Sequence, residues 1–146
     1  MKEEPFVIER TFNVDVQKVW EAITDKEQMK HWYFDLAEFK PEVGFKFSFI
    51  GGTEEEQFVH LCQVTEVIPQ KKLAYSWDYQ GYVGSSLVTF ELYNEGASTK
   101  LKLTHSGLET FPSDNPNLKQ ENFAEGWTYI IGTSLNNYLN NSSTNG

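Results

Sequence analysis

The side chains of this 146-residue chain that could do chemistry are few: three histidines, one cysteine and one run of acids. His31, His60 and His105 fall on three different elements, and nothing in their spacing matches a metal site, so no metal is expected. There is no Gly-x-Ser-x-Gly elbow, no phosphate-cradling glycine loop with a lysine, no His-Glu-x-x-His and no second cysteine beside Cys62. No catalytic residue and no cofactor are assigned, and an intrachain disulfide is impossible. Glu54, Glu55 and Glu56 follow Gly51-Gly52, and burying three like charges together would cost many kcal/mol, so they read as a solvated turn.

His105 is the titratable group with the most interesting position. It shares parity with Leu101 and Leu103, which points it inward from a strand. There it could donate to a ligand or act as an acid or base, or it could be held at the strand's end by a backbone carbonyl or water. A lone inward histidine without a second titratable partner favours the structural role.

The elements that must position these groups follow from periodicity. Phe6 to Phe12 reads as an opening strand, and Asp15 caps a helix carrying Val16, Val19, Trp20 and Ile23. Asp25 with Gln28 resembles a capping box for a second short helix with Met29 and Trp32, after a break at Thr24. The period then changes to two. Phe45, Phe47 and Phe49 alternate with polar residues; Phe58 to Ile68 is a longer strand in which Val64 and Val67 have opposite parity, which a bulge would reconcile. Leu73, Tyr75, Trp77 and Tyr79 alternate clearly, then Val88, Phe90 and Leu92, and Leu101, Leu103 and His105 answer across a turn at Asn94-Glu95-Gly96.

A long helix closes the chain from Asn117 to Leu139, with Asn117 as cap, Gln120 three residues on and Pro116 just outside. Phe123, Trp127, Ile130, Ile131, Ser134 and Tyr138 form its apolar stripe, and Leu118 to Leu139 would span about 33 Å. Strand, two short helices, about six or seven strands and a final helix is an α+β order with an antiparallel meander. Such a curved sheet leaves a concave apolar face for the last helix to cover.

Composition bounds the rest. A formal net charge of −9 argues against nucleic acid and anionic lipid surfaces, since both present phosphate. The start Met1-Lys2-Glu3-Glu4-Pro5 has no apolar segment behind it, and no run approaches a membrane span, so a cytoplasmic location is expected. Residues 1–139 are expected to form one domain and 140–146 a disordered polar tail.

Several strings in this order resemble a known family. They are Val19-Trp20-Glu21-Ala22-Ile23-Thr24-Asp25, Met29-Lys30-His31-Trp32-Tyr33, Glu66-Val67-Ile68-Pro69 leading to Leu73-Ala74-Tyr75-Ser76-Trp77, the run from Thr99 to Gly107, and Gly126-Trp127. Nearly the whole chain is similar to the helix-grip superfamily of START, pollen-allergen and polyketide-cyclase (SRPBCC) domains, and within it to bacterial homologues of the C-terminal domain of the heat-shock-protein-90 ATPase activator. The resemblance implies a helix-grip fold with an internal cavity, and a stress-response setting. Val43-Gly44 stands where many members have a double glycine, and the extra N-terminal domain of eukaryotic activators has no counterpart here, which weakens a transfer of chaperone activation.

In that fold the cavity lining would be Phe49, Tyr75, Trp77, Phe90, Leu103, His105, Trp127, Ile131, Ser134 and Tyr138. Ser134 lies on the buried stripe, so its hydroxyl must bond one turn back or face something polar. Ser134, His105 and Tyr75 are therefore expected to be the polar points of an otherwise apolar pocket. Three functions compete. The first is the binding of a small apolar or amphipathic molecule such as a lipid. The second is a co-chaperone-like action on heat-shock protein 90 through the surface. The third is a cyclase or hydrolase using His105, ranked last because no second partner for it is evident. A monomer or weak homodimer is expected.

Overall fold

A computed structural model describes residues 5–33, 36, 38–52, 57–111, 118 and 120–144. Strand β1 (Phe6–Phe12) leads into α1 (Val16–Thr24) and α2 (Lys26–Trp32), followed by β2 (Lys46–Gly52), β3 (Gln57–Ile68), β4 (Lys72–Tyr79), β5 (Ser86–Asn94) and β6 (Thr99–Ser106). A 3-10 turn at Leu108–Thr110 precedes a long C-terminal helix in three parts: α3 (Gln120–Tyr129), a π-helical stretch Ile130–Leu135, and α4 (Asn136–Thr144). The strands form one antiparallel, open, curved sheet in the order β1-β6-β5-β4-β3-β2. The fold is α+β, as the periodicities require.

The short helices owe their limits to two aspartates. Asp15 Oδ1 accepts from the Lys18 N–H at 3.0 Å and starts α1. Asp25 closes α1 through its own N–H to the Glu21 carbonyl at 2.9 Å and opens α2 through Oδ1 to the Glu27 N–H at 3.0 Å. Gln28, expected to answer Asp25 in a capping box, instead accepts from the Tyr138 hydroxyl at 3.1 Å. The indole N–H of Trp32 donates to the Ala22 carbonyl at 2.8 Å, which fixes α2 on α1.

On β3 the register against β4 shifts between Val64 and Glu66, where Val64 faces Tyr75 and Glu66 faces Ala74. This is the bulge the opposed parities of Val64 and Val67 demand. It turns Glu66 outward, where it pairs with Lys72 at 3.1 Å.

The C-terminal helix differs from a regular spiral in an instructive way. Its fully buried residues are Phe123, Trp127, Ile131, Leu135 and Leu139, spaced by four, while Ile130, Ser134 and Tyr138 are only half-buried. Each four-residue step overshoots an α-helical turn by about 40°, so a strict spacing of four drifts off its face. The π-helical stretch, with its wider turn, absorbs part of that drift and keeps Leu135 and Leu139 against the core. The helix continues to Thr144. The expected cap Asn117, Pro116 and the turn acids Glu54, Glu55 and Glu56 lie outside the described residues.

Candidate functional site

The sheet's inner face and the C-terminal helix meet through aromatic rings. Trp127 on α3 lies with its ring centroid 5.5 Å from Trp77 on β4, 6.2 Å from Phe90 on β5 and 6.0 Å from Tyr33 at the end of α2. Phe49 on β2 stacks on His60 at 4.4 Å and makes a T-shaped contact with Trp77 at 5.6 Å. Leu103 pairs across the ladder with Phe90, and Ile131 is fully buried on the C-terminal helix. Of the ten expected lining residues, eight gather here: Phe49, Tyr75, Trp77, Phe90, Leu103, His105, Trp127 and Ile131.

The other two do not. The Ser134 hydroxyl donates to the Trp32 carbonyl at 2.8 Å, neither bonding one turn back nor facing a pocket. Tyr138 stacks flat on His31 at 5.8 Å and donates to Gln28, so it belongs to the contact between α4 and α2. Both are displaced from the inner stripe by the same widened turn that brings Leu135 and Leu139 inward.

His105 is completely buried, and both its nitrogens are engaged. The indole N–H of Trp127 donates to Nδ1 at 3.0 Å, which leaves the proton on Nε2, 2.8 Å from Ser86 Oγ. The Ser86 hydroxyl in turn donates a hydrogen bond to the Trp77 carbonyl at 2.6 Å. The register supplies the alignment: Ser86 lies opposite Trp77, and β6 runs beside β5 so that His105 faces Val88. Burial, with the nearby His60 adding a little, holds His105 down to about 3. His60 is held down to about 4 by burial, partly offset by the carbonyls of Phe49 and Phe58. Both imidazoles are therefore neutral at pH 7. A general base needs a nitrogen on offer to substrate, and His105 presents none.

A second polar pair lies between α2 and the sheet. The hydroxyls of Tyr33 and Tyr75 are 2.5 Å apart, and burial pushes both phenols well above their ordinary range, with the adjoining Tyr75 adding to the rise at Tyr33. Trp77 donates its indole N–H to the Tyr79 hydroxyl at 2.8 Å. Among the described residues no buried side-chain polar atom lacks a partner, and no three His, Cys, Asp or Glu side chains converge as a metal site.

Tyr33, His60 and Ser86 are members of this interior that periodicity did not single out. His60 shares parity with Phe58 and Cys62, and Ser86 with Val88 and Phe90, so both signals were present; Tyr33 carries none, since it follows the last turn of α2. Outside the interior, an open groove of about 440 Å³ crosses the outer face of β2, β3 and β4 along Lys46, Ser48, Gln63 and Asp78. Another of about 500 Å³ lies between Val16 and the Gln70 turn. No helix among the described residues is long and apolar enough to cross a membrane.

Comparison with known proteins agrees with this geometry. The model of the family described as Activator of Hsp90 ATPase homolog 1-like protein matches residues 13–140, and the chain belongs to that family. Among solved structures, protein MLL2253 from Mesorhizobium loti superposes with a TM-score of 0.77 at 26% identity, over 94% of this chain and 97% of that one. Protein BH1534 from Bacillus halodurans gives 0.73 at 26% identity, over 94% and 98% of the two chains. DynU16, from the dynemicin biosynthetic locus, shares the fold with a TM-score of 0.76 at 21% identity, this chain covering 48% of its length and being itself covered over 94%. A comparison with curated proteins gave no match.

Proposed function

We propose that this member of the family holds a small apolar or amphipathic molecule between its sheet and its C-terminal helix, as a cytoplasmic protein acting alone or as a weak homodimer. One observation carries the reading: the two layers meet ring to ring at Trp127, through Trp77, Phe90 and Tyr33, with hydroxyl and indole groups set among them. Aromatic side chains, with few rotatable bonds, can swing aside as rigid units to admit a flat or flexible apolar guest, and the few polar atoms give it orientation. Native mass spectrometry of protein purified from its own cells, with a thermal-shift screen of lipids and metabolites, tests this. A copurified small molecule or a saturable shift is expected; neither appearing would refute it.

The family description favours a second reading, a co-chaperone-like action on heat-shock protein 90 through the surface. An ATPase assay with the chaperone from the same cells decides it, since an unchanged rate with no detectable complex removes the idea.

A further inference from the structure

Tyr33 sits at the end of α2 with its ring against both the sheet and the C-terminal helix. It belongs to neither layer: it follows α2, while its neighbours Phe49 and Tyr75 are on the sheet and Trp127 is on the C-terminal helix. It is half-buried, whereas Phe49, Tyr75 and Trp127 are buried. Its ring lies nearly parallel to Trp127 (22°) and to Trp32 (23°, centroids 5.0 Å apart), and its hydroxyl reaches inward to Tyr75. Among the described residues Tyr33 is the one polar partner of the Tyr75 hydroxyl.

We infer that Tyr33 is a resident occupant of the binding slot, and that a ligand enters by displacing its ring and taking over its hydrogen bond to Tyr75. The inference rests on the ligand-binding reading above and gives it a location and a chemistry. Rotation about the Cα–Cβ bond of a residue at a helix end frees the slot without changing any strand register. What remains has two flat rings, Trp127 and Trp32, a third ring at an angle, Phe49, and a single phenol at the inner end. The occupant that replaces Tyr33 is a flat, uncharged group bearing one hydrogen-bonding atom. The walls named hold no ionised group to meet a charge, and leaving the Tyr75 phenol unmet would carry a desolvation penalty.

Competition from Tyr33 scales the apparent affinity down in proportion to the fraction of time the slot is open. The fluorescent probe 1-aminoanthracene, flat, uncharged and carrying one amine, measures this by titration against the wild-type chain and three variants. Tyr33→Phe adds no space but breaks the latch, so the probe should bind about two- to tenfold tighter. Tyr33→Ala should bind tighter still. Tyr75→Phe breaks the same bond but removes the ligand's partner, so it should gain nothing. If Tyr33→Ala tightens binding while Tyr33→Phe stays at the wild-type value, the alanine has merely cut a hole and the plug is refuted, though saturable wild-type binding would leave the ligand reading standing. Absence of binding in all four proteins overturns both.

Discussion

Acidification should unfold this protein through two buried imidazoles. His105 and His60 are held down to about 3 and about 4, against 6.5 for a free side chain, because burial disfavours their charged forms. The unfolded chain therefore binds protons that the folded chain refuses. Stability is full above pH 6.5 and is lost as the pH falls from there toward the folded values. At about pH 4.5, keeping one imidazole neutral costs about 2.7 kcal/mol, so the pair removes about 5 kcal/mol. That rivals the whole stability of a typical domain, about 5–15 kcal/mol. Urea unfolding measured from about pH 8 to about pH 4.5 should show a slope approaching 2.7 kcal/mol per pH unit near pH 5, the signature of two protons taken up per chain. Ordinary carboxylates are ionised in both states at that pH and add little. His60→Gln or His105→Gln should halve the slope, whatever either does to absolute stability. A near-flat profile, or His60 or His105 titrating near pH 6 in the folded state by NMR, would refute the reasoning.

Two further outcomes follow from local geometry. Ser134→Ala removes the donor to the Trp32 carbonyl and should cost about 1 kcal/mol in urea unfolding. The Tyr33 amide, bonded to the Met29 carbonyl, should exchange faster, and unchanged exchange there would mean that Ser134 does not hold the end of α2. Two glycines should answer in opposite directions: Gly84→Ala meets the Thr110 carbonyl oxygen at 2.4 Å from a positive φ of 106° and should cost about 2–4 kcal/mol, while Gly126→Ala, with open space around it, should gain up to about 1 kcal/mol. Equal effects in the two denaturation curves would contradict the close approach at Gly84.

The bulge in β3 was legible because it is a local conflict: two valines three residues apart cannot both face inward on a regular strand. The inner faces of β4, β5 and β6 were legible for the same reason, each being an uninterrupted alternation. The stripe of the last helix was harder to read. Ile130, Ser134 and Tyr138 fit a 3.6-residue spiral, but Leu135 and Leu139 take the inner positions because the π-helical stretch resets the phase, and that stretch has no marker in the residues themselves.

The candidate site divides along a similar line. Eight of its expected members follow from which face of a strand or helix they occupy. Their hydrogen bonds do not follow, because the Nδ1 partner of His105 is 22 residues away on α3 and the Nε2 partner 19 residues away on β5. Tyr33 meets Tyr75 across 42 positions.

Alternation, helical spacing and capping residues are properties of neighbours along the chain, so the sequence alone determined the order of elements and the side of each that faces the core. Which buried group satisfies which is settled when separate elements are brought together at one register and one helical phase. Only the tertiary structure decided that His105 is spent on Trp127 and Ser86, that Ser134 holds α2, and that Tyr33 lies between the layers. A buried donor must find an acceptor within reach in space, and distance along the chain does not tell it where.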